Sequence, residues 1–186
     1  MGPLFDVGVY PLTILTAFLG PIVEVAGFAD VVWPERQDQA GKSFGVEAPD
    51  WACGFLRFES GIIGRLTTTF YVGPTKQQGL EFHGDTASLY VASSVESNAA
   101  VQFRPFSEWT WTDVPPAHAP YPGIEWGRGV SELADAIRED RPQRVTGEQG
   151  AHVVEVISGI LQSAQSHAPV AIASRFKPPM PMEWAM

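Results

Sequence analysis

The chain has 186 residues, 45% of them hydrophobic and 18% charged, which is the composition of an ordinary folded protein and excludes a disordered one. Its formal net charge of −9 argues against nucleic acid or an anionic membrane as partner, since both are bound through basic patches. A single cysteine, Cys53, excludes an intrachain disulfide and a thiolate metal cage, and its apolar neighbours fit a buried, inert thiol better than a nucleophile.

In chain order, the first residues lack a basic segment, and Asp6, Gly8 and Pro11 interrupt the opening apolar stretch, so no secretory signal is read. No window approaches the roughly 18 apolar residues of a membrane span, and the expected location is cytoplasmic. A helix is predicted from about Gly8 to Leu19, with Pro11 tolerated in its first turn and Gly20-Pro21 as the stop. Residues 22–33 are β-rich, with a bulge or bend expected at Gly27. Residues 34–48 are polar and read as a loop.

The clearest β signal is WACGFLRF (51–58) and IIGRLTTTFY (62–71), joined by Glu59-Ser60-Gly61, where glycine supplies a positive φ. GLEFHG (79–84) and SLYVA (88–92) suggest a second hairpin. AVQFRPF (100–106) and EWTWTDV (108–114) continue the series, with Trp109 and Trp111 on one face. Residues 115–123 form a proline-rich connector. The period then becomes helical: Val130, Leu133, Ala134 and Ile137 share one face. Thr146-Gly-Glu-Gln149 is a capping box that opens a longer helix carrying Val153, Val156, Ile157, Ile160, Leu161 and Ala164. Residues 170–173 suggest a last short strand, before a tail extended by its prolines.

This order predicts an α+β fold: an open, predominantly antiparallel mixed β-sheet with helices packed on one face. It is not the alternating order of a Rossmann domain, and Gly127-Arg-Gly129 lacks the third glycine and the preceding strand of a dinucleotide fingerprint. His83, His118, His152 and His167 are too scattered for a helix-borne metal pair, and His152, on the edge of the apolar face of the last long helix, reads as a satisfied, partly buried histidine. Trp51, Trp109, Trp111, Trp126 and Trp184 suit core or interface packing better than stacking on a sugar.

Asp6 and Tyr10 remain, four residues apart, the spacing of helical neighbours. Two readings stand: a helix cap followed by a packed aromatic, or two members of a proton-transfer site. A phenol is a poor base near neutrality unless a cation stabilises the phenolate, and a carboxylate has the opposite effect. Asp6 would instead orient a substrate hydroxyl or hold a lysine.

The opening GPLFDVGVYPL resembles the start of the C-terminal domain of the Gfo/Idh/MocA oxidoreductases, the glucose–fructose oxidoreductase and inositol dehydrogenase family. WACGFLRFESGIIGRLTTTF is similar to that family's central hairpin, and GLEFHGDTASLYV to its next strand pair. RGVSELADAI, RVTGEQGAHVVEVISGILQSA and VAIASRF follow its closing helices and strand in order. The resemblance implies that residues 1–186 form a C-terminal substrate-binding and oligomerisation domain. NAD or NADP would be held by an N-terminal Rossmann domain that this sequence does not include. It further implies that Tyr10 accepts or relays the proton of a carbinol in a sugar, polyol or related secondary alcohol, and that Asp6 positions the substrate or a lysine of a Glu-Lys-Pro motif.

Several features depart from that pattern. The lysines are Lys42, Lys76 and Lys177, with Phe176-Lys177-Pro178 where glutamate would be needed, and Thr13 stands where some members place an acid. The expectation is a truncated chain that binds no cofactor and is inactive alone. The alternative is a non-catalytic assembly module that forms a homodimer through the exposed face of its sheet.

Overall fold

A computed structural model describes residues 2–73, 75–119, 121 and 123–181. The last residues of the proline-rich tail, Trp184 among them, and Pro120 and Pro122 of the connector lie outside the described residues. The elements are α1 (Pro3–Asp6), α2 (Val9–Leu19), β1 (Ile22–Asp30), β2 (Glu35–Gln37), β3 (Ser43–Gly45), β4 (Trp51–Phe58) and β5 (Ile63–Thr69), then β6 (Leu80–His83), β7 (Ala87–Val91), β8 (Val101–Pro105), β9 (Thr112–Asp113), α3 (Arg128–Arg138), α4 (Gly147–Ser166) and β10 (Val170–Ala171). The expected α+β class holds, and every described strand pairing is antiparallel. The strands fall into three hydrogen-bonded groups, β10-β1-β4-β5, β2-β3 and β6-β7-β8-β9. The chain forms two compact units, one built from residues 1–73 with 144–186, the other from 74–143.

In the first unit, β4 alternates as the sequence predicts. Ala52, Gly54, Leu56 and Phe58 are buried, while Phe55 and Arg57 face out. The turn to β5 closes through Gly61 at φ 87°, a conformation that costs glycine little. α4 lies across the buried face with Val153, Val156, Ile157 and Ile160 inward, each burial being worth about 1.5–3 kcal/mol. The approach is close because Gly27 and Gly54, paired across β1 and β4, leave room for Ile160. A Cβ at either would come within 2.8 Å of that side chain. Gly27 is therefore a packing glycine, and the β1 irregularity falls earlier, between Ile22 and Glu24. The polar stretch 34–48 is not wholly loop: β2 and β3 form a short ribbon whose turn is held by Asp38, which accepts from the Ala40 and Lys42 N–H groups.

The second unit buries little: among its described residues only Leu80, Ser88 and Ala136 are buried. The β6–β7 hairpin forms as predicted. The segment 108–114 yields only the two-residue β9, so Trp109 and Trp111 do not share a strand face. Trp109 is exposed, whereas Trp111 meets the Tyr90 ring edge-on and the Arg104 guanidinium. Gly127 is the N-cap of α3, so Gly127-Arg-Gly129 opens a helix. Its predicted apolar face is exposed at Val130, Leu133 and Ile137, with Ala136 buried instead.

Candidate functional site

The predicted helix over 8–19 is preceded by a separate turn of helix, and Asp6 ends that turn rather than capping α2. The residue at the α2 N-cap is Gly8, and no side chain caps it. The Pro3 carbonyl accepts from both Val7 and Gly8 N–H, a widened turn that joins the two helices. Val7 and Gly8 keep right-handed helical dihedrals, so Asp6 and Tyr10 stay on consecutive turns of one helical path. The join needs glycine, because a Cβ at Gly8 would come within 2.6 Å of the Leu4 carbonyl oxygen. Pro11 falls in the first turn of α2, where its missing N–H costs nothing. Asp6 is exposed and Tyr10 half-buried, and among the described residues neither side chain has a hydrogen-bond or ionic partner. The cap reading of Asp6 is thereby removed.

Lys177 does not join this pair. Pro178 lies beside Gly20, its Cγ 4.0 Å from the position a Cβ would take there. Gly20 closes α2 at the end opposite Tyr10, about 15 Å away at 1.5 Å per residue. That segment brings no cation to Tyr10.

One buried polar residue, Gln149, holds the helix that carries Tyr10, and a second, His152, holds the start of the strand that follows it. The Thr146 hydroxyl accepts from the Gln149 N–H at 3.3 Å, which is one half of the predicted capping box. Gln149 does not complete the other half. It is buried against α2, its Nε2 donating to the Thr13 carbonyl (3.1 Å) and to Thr16 Oγ1 (3.2 Å). His152, fully buried, accepts at Nε2 from the Ile22 N–H (3.0 Å), which assigns the proton to Nδ1, beside Ser174 Oγ at 2.8 Å. Burial pushes its pKa down, outweighing the Ser174 carbonyl and the Glu155 carboxylate, while Arg175 adds to the depression. It is the satisfied histidine that the sequence suggests, with a deeper burial than expected.

Asp50 was not singled out in the sequence. It is 1% exposed, and its carboxylate accepts from the Val32 N–H (2.7 Å), the Trp33 N–H (3.1 Å) and Arg36 Nη2 (2.6 Å). Burial pushes its pKa up, but the hydrogen bonds from Val32, Arg36 and Trp33, with the Arg36 charge, more than offset this and leave it below the ordinary range. No local motif announces such a residue, because its partners are 14 to 18 positions away.

Other candidates carry no chemistry. Cys53 is half-buried rather than buried, on the open sheet face 3.5 Å from Thr67 Oγ1. His83 bonds Ser88 and pairs with Glu81. Trp51 is half-buried at the start of β4, and Trp126 is exposed ahead of α3. Among the described residues no group of three or more potential ligands could hold a metal, and no helix is long and apolar enough to cross a membrane. Nor do these residues fit a dinucleotide: antiparallel strands offer no strand-to-helix switch point, and Gly127 and Gly129 have open space around them.

Residues 1–90 match the family model described as GFO/IDH/MocA C-terminal domain. Among solved structures, an NAD binding oxidoreductase from Klebsiella pneumoniae is similar with a TM-score of 0.73 at 21% identity, over 92% of this chain and 51% of that one. A levoglucosan dehydrogenase in complex with NADH gives 0.72 at 19% identity, over 91% and 50%. An aldose-aldose oxidoreductase from Caulobacter crescentus complexed with glycerol gives 0.71 at 20% identity, over 91% and 47%. The chain thus spans about half the length of these structures. No curated protein matches it.

Proposed function

We propose, on the match of residues 1–90 to the GFO/IDH/MocA C-terminal domain, that this chain forms the substrate-binding half of an NAD(P)-dependent oxidoreductase of that family, acting on a sugar, polyol or related secondary alcohol. The observation that carries this reading is the Asp6–Tyr10 pair: two polar groups on consecutive turns of one helical path, unused by the fold. Such an oxidation removes a hydride from the carbinol carbon and a proton from its oxygen, and NAD(P) held by a separate dinucleotide-binding domain would be the hydride acceptor. This chain's part is the proton. Tyr10 Oη receives it from the carbinol oxygen when a cation holds the phenol as phenolate, and Asp6 accepts a hydrogen bond from a neighbouring substrate hydroxyl to fix the ring. By this reading the chain alone neither binds the cofactor nor turns over.

The test is an upstream fusion to a dinucleotide-binding domain of the same family. Activity should appear, and Tyr10→Phe should lower turnover by roughly 10²–10⁴-fold with the fold intact. An active fusion that keeps its full rate as Tyr10→Phe removes Tyr10 from the mechanism.

A second reading, assembly through the sheet, is favoured by one observation. On the face of β1, β4 and β5 opposite α4, Phe28 is 67% exposed, Phe55 52% and Ile63 56%. These exposed apolar side chains, with Arg57 and Arg65 set between them, suit a second copy of the chain. The two readings are compatible.

A further inference from the structure

The sheet of the second unit gathers polar side chains on one face. Residues directly opposite each other in an antiparallel ladder point to the same side. Glu81 stands opposite Tyr90, Tyr90 opposite Gln102 and Gln102 opposite Asp113, while His83 stands opposite Ser88 and Ser88 opposite Arg104. Phe82, Leu89 and Phe103 alternate with them and take the other side. Most of the polar set satisfies itself. The Glu81 carboxylate lies 3.2 Å from His83 Nε2, so in the neutral ring the proton is on that nitrogen and the Ser88 hydroxyl donates to Nδ1 at 2.9 Å. Gln102 Nε2 donates to the Asp113 carboxylate at 2.8 Å.

Two members of the face are left over, and both are donors. Among the described residues neither the Arg104 guanidinium nor the Tyr90 hydroxyl has a hydrogen-bond or ionic partner, and Arg104 Nε is buried without one. Both residues meet the same ring. Trp111, 37% exposed, has the Arg104 guanidinium 5.5 Å from its centroid and the Tyr90 ring edge-on at 6.3 Å. The other arginines of this unit, Arg128, Arg138 and Arg141, are each paired with an acid. Arg104 therefore stands out in a chain with 21 acidic and 12 basic residues. A half-buried charge is costly without a counter-charge, and a guanidinium cannot shed its proton to escape that cost. The contact with Trp111 offsets part of the cost and orients the planar group, but it supplies no acceptor for the N–H donors. Glu81 and Asp113, the acids of the face, are engaged by His83 and Gln102 instead.

We propose that Arg104, Tyr90 and Trp111 form a binding site for a small aromatic carboxylate, in which the guanidinium and the phenol hydroxyl donate to the carboxylate and Trp111 meets the ligand's ring. A guanidinium offers parallel N–H donors that match the two oxygens of a carboxylate, and such charge-assisted pairs are the strong ones. The aromatic side chains beside it add an apolar contact that a bare inorganic anion cannot use. The site makes no use of Asp6 or Tyr10, and it stands or falls independently of the oxidoreductase reading.

Titration of the chain with sodium benzoate at constant ionic strength tests this, followed through the Arg104 Nε–H and Trp111 indole N–H signals in proton–nitrogen correlation spectra. Saturable shifts of both signals are expected. Benzyl alcohol keeps the ring without the charge, and inorganic phosphate keeps the charge without the ring; each should bind at least about 5-fold more weakly than benzoate. Arg104→Gln, read at Trp111, should weaken benzoate about 10- to 100-fold, and Arg104→Lys, which keeps the charge and loses the planar fork, should weaken it less. Trp111→Ala and Tyr90→Phe, read at Arg104, should each weaken it about 2- to 10-fold. Phosphate that binds as tightly as benzoate overturns the aromatic ligand class, and benzyl alcohol that does so overturns the role of Arg104. Both comparisons use the unaltered chain, so they hold even where a variant does not fold. Absence of any saturable shift with benzoate overturns the site.

Discussion

At the scale of single residues, the side chains that matter most to this fold are polar and buried. His152 joins three segments: it stands on α4, accepts from the first residue of β1 and meets Ser174 beyond β10. The neutral form alone satisfies this arrangement, because a proton on Nε2 would oppose the Ile22 N–H. Since its folded pKa is depressed, the unfolded chain takes up the proton first. The stability it contributes is complete above the unfolded value of about 6.5 and declines as pH falls below it, levelling off once the folded value is passed. Asp50, also depressed, holds its contribution until pH falls below the unfolded carboxylate value of about 3.9, so the two losses begin at different pH. His152→Leu should therefore cost about 1–3 kcal/mol at pH 7.5, by leaving the Ile22 N–H unpaired, and should flatten the fall in urea midpoint between pH 7.5 and 5. An unchanged slope in that variant would assign the acid sensitivity to other groups. A sequence reader sees His152 only as a histidine near an apolar face. Its partners lie 130 and 22 positions away, and no local pattern encodes them.

At the scale of elements, local chemistry was legible wherever it decided the outcome. The β4–β5 hairpin follows from alternation and a glycine turn, and the start of α4 from Thr146. Reading failed where tertiary contact decided. Gly27 looked like a bulge because a strand glycine usually marks one, but its role appears only when Ile160 is placed over it. Gln149 looked like half of a capping box and was drawn instead to α2. The candidate pair Asp6 and Tyr10 was visible by spacing, whereas the buried carboxylate of Asp50, whose partners are distant in sequence, was not. The Ile160 contact gives a sharp test. Gly54→Ala would bring a methyl within 2.8 Å of Ile160 Cδ1, an overpacking expected to cost about 1–3 kcal/mol. Adding Ile160→Val removes that atom. The double variant should be more stable than the sum of the single changes, measured as a double-mutant cycle by urea unfolding. Strict additivity would mean that the contact carries no strain.

At the scale of the whole molecule, the open face of the first sheet is the feature with the widest reach. If it joins two copies, light scattering at micromolar concentration should give twice the chain mass, and Phe28→Glu should return the monomer, because a charge there, opposite Cys53 and two residues from Asp30, would lose water without a cationic partner. A monomer without any substitution would retire that reading. The division of the chain into units has a consequence of its own. The first unit is assembled from the two ends of the sequence, residues 1–73 and 144–186, with the other unit between them. During synthesis, β1, β4 and β5 emerge long before α4, the helix that covers them. At about 5–20 residues per second the wait is roughly 4–14 s, while the hairpins of the intervening unit, whose pairings are local, are free to form. For those seconds Val25, Leu56 and Phe58 have no cover, and the nascent chain is most open to capture by chaperones or by another copy of itself.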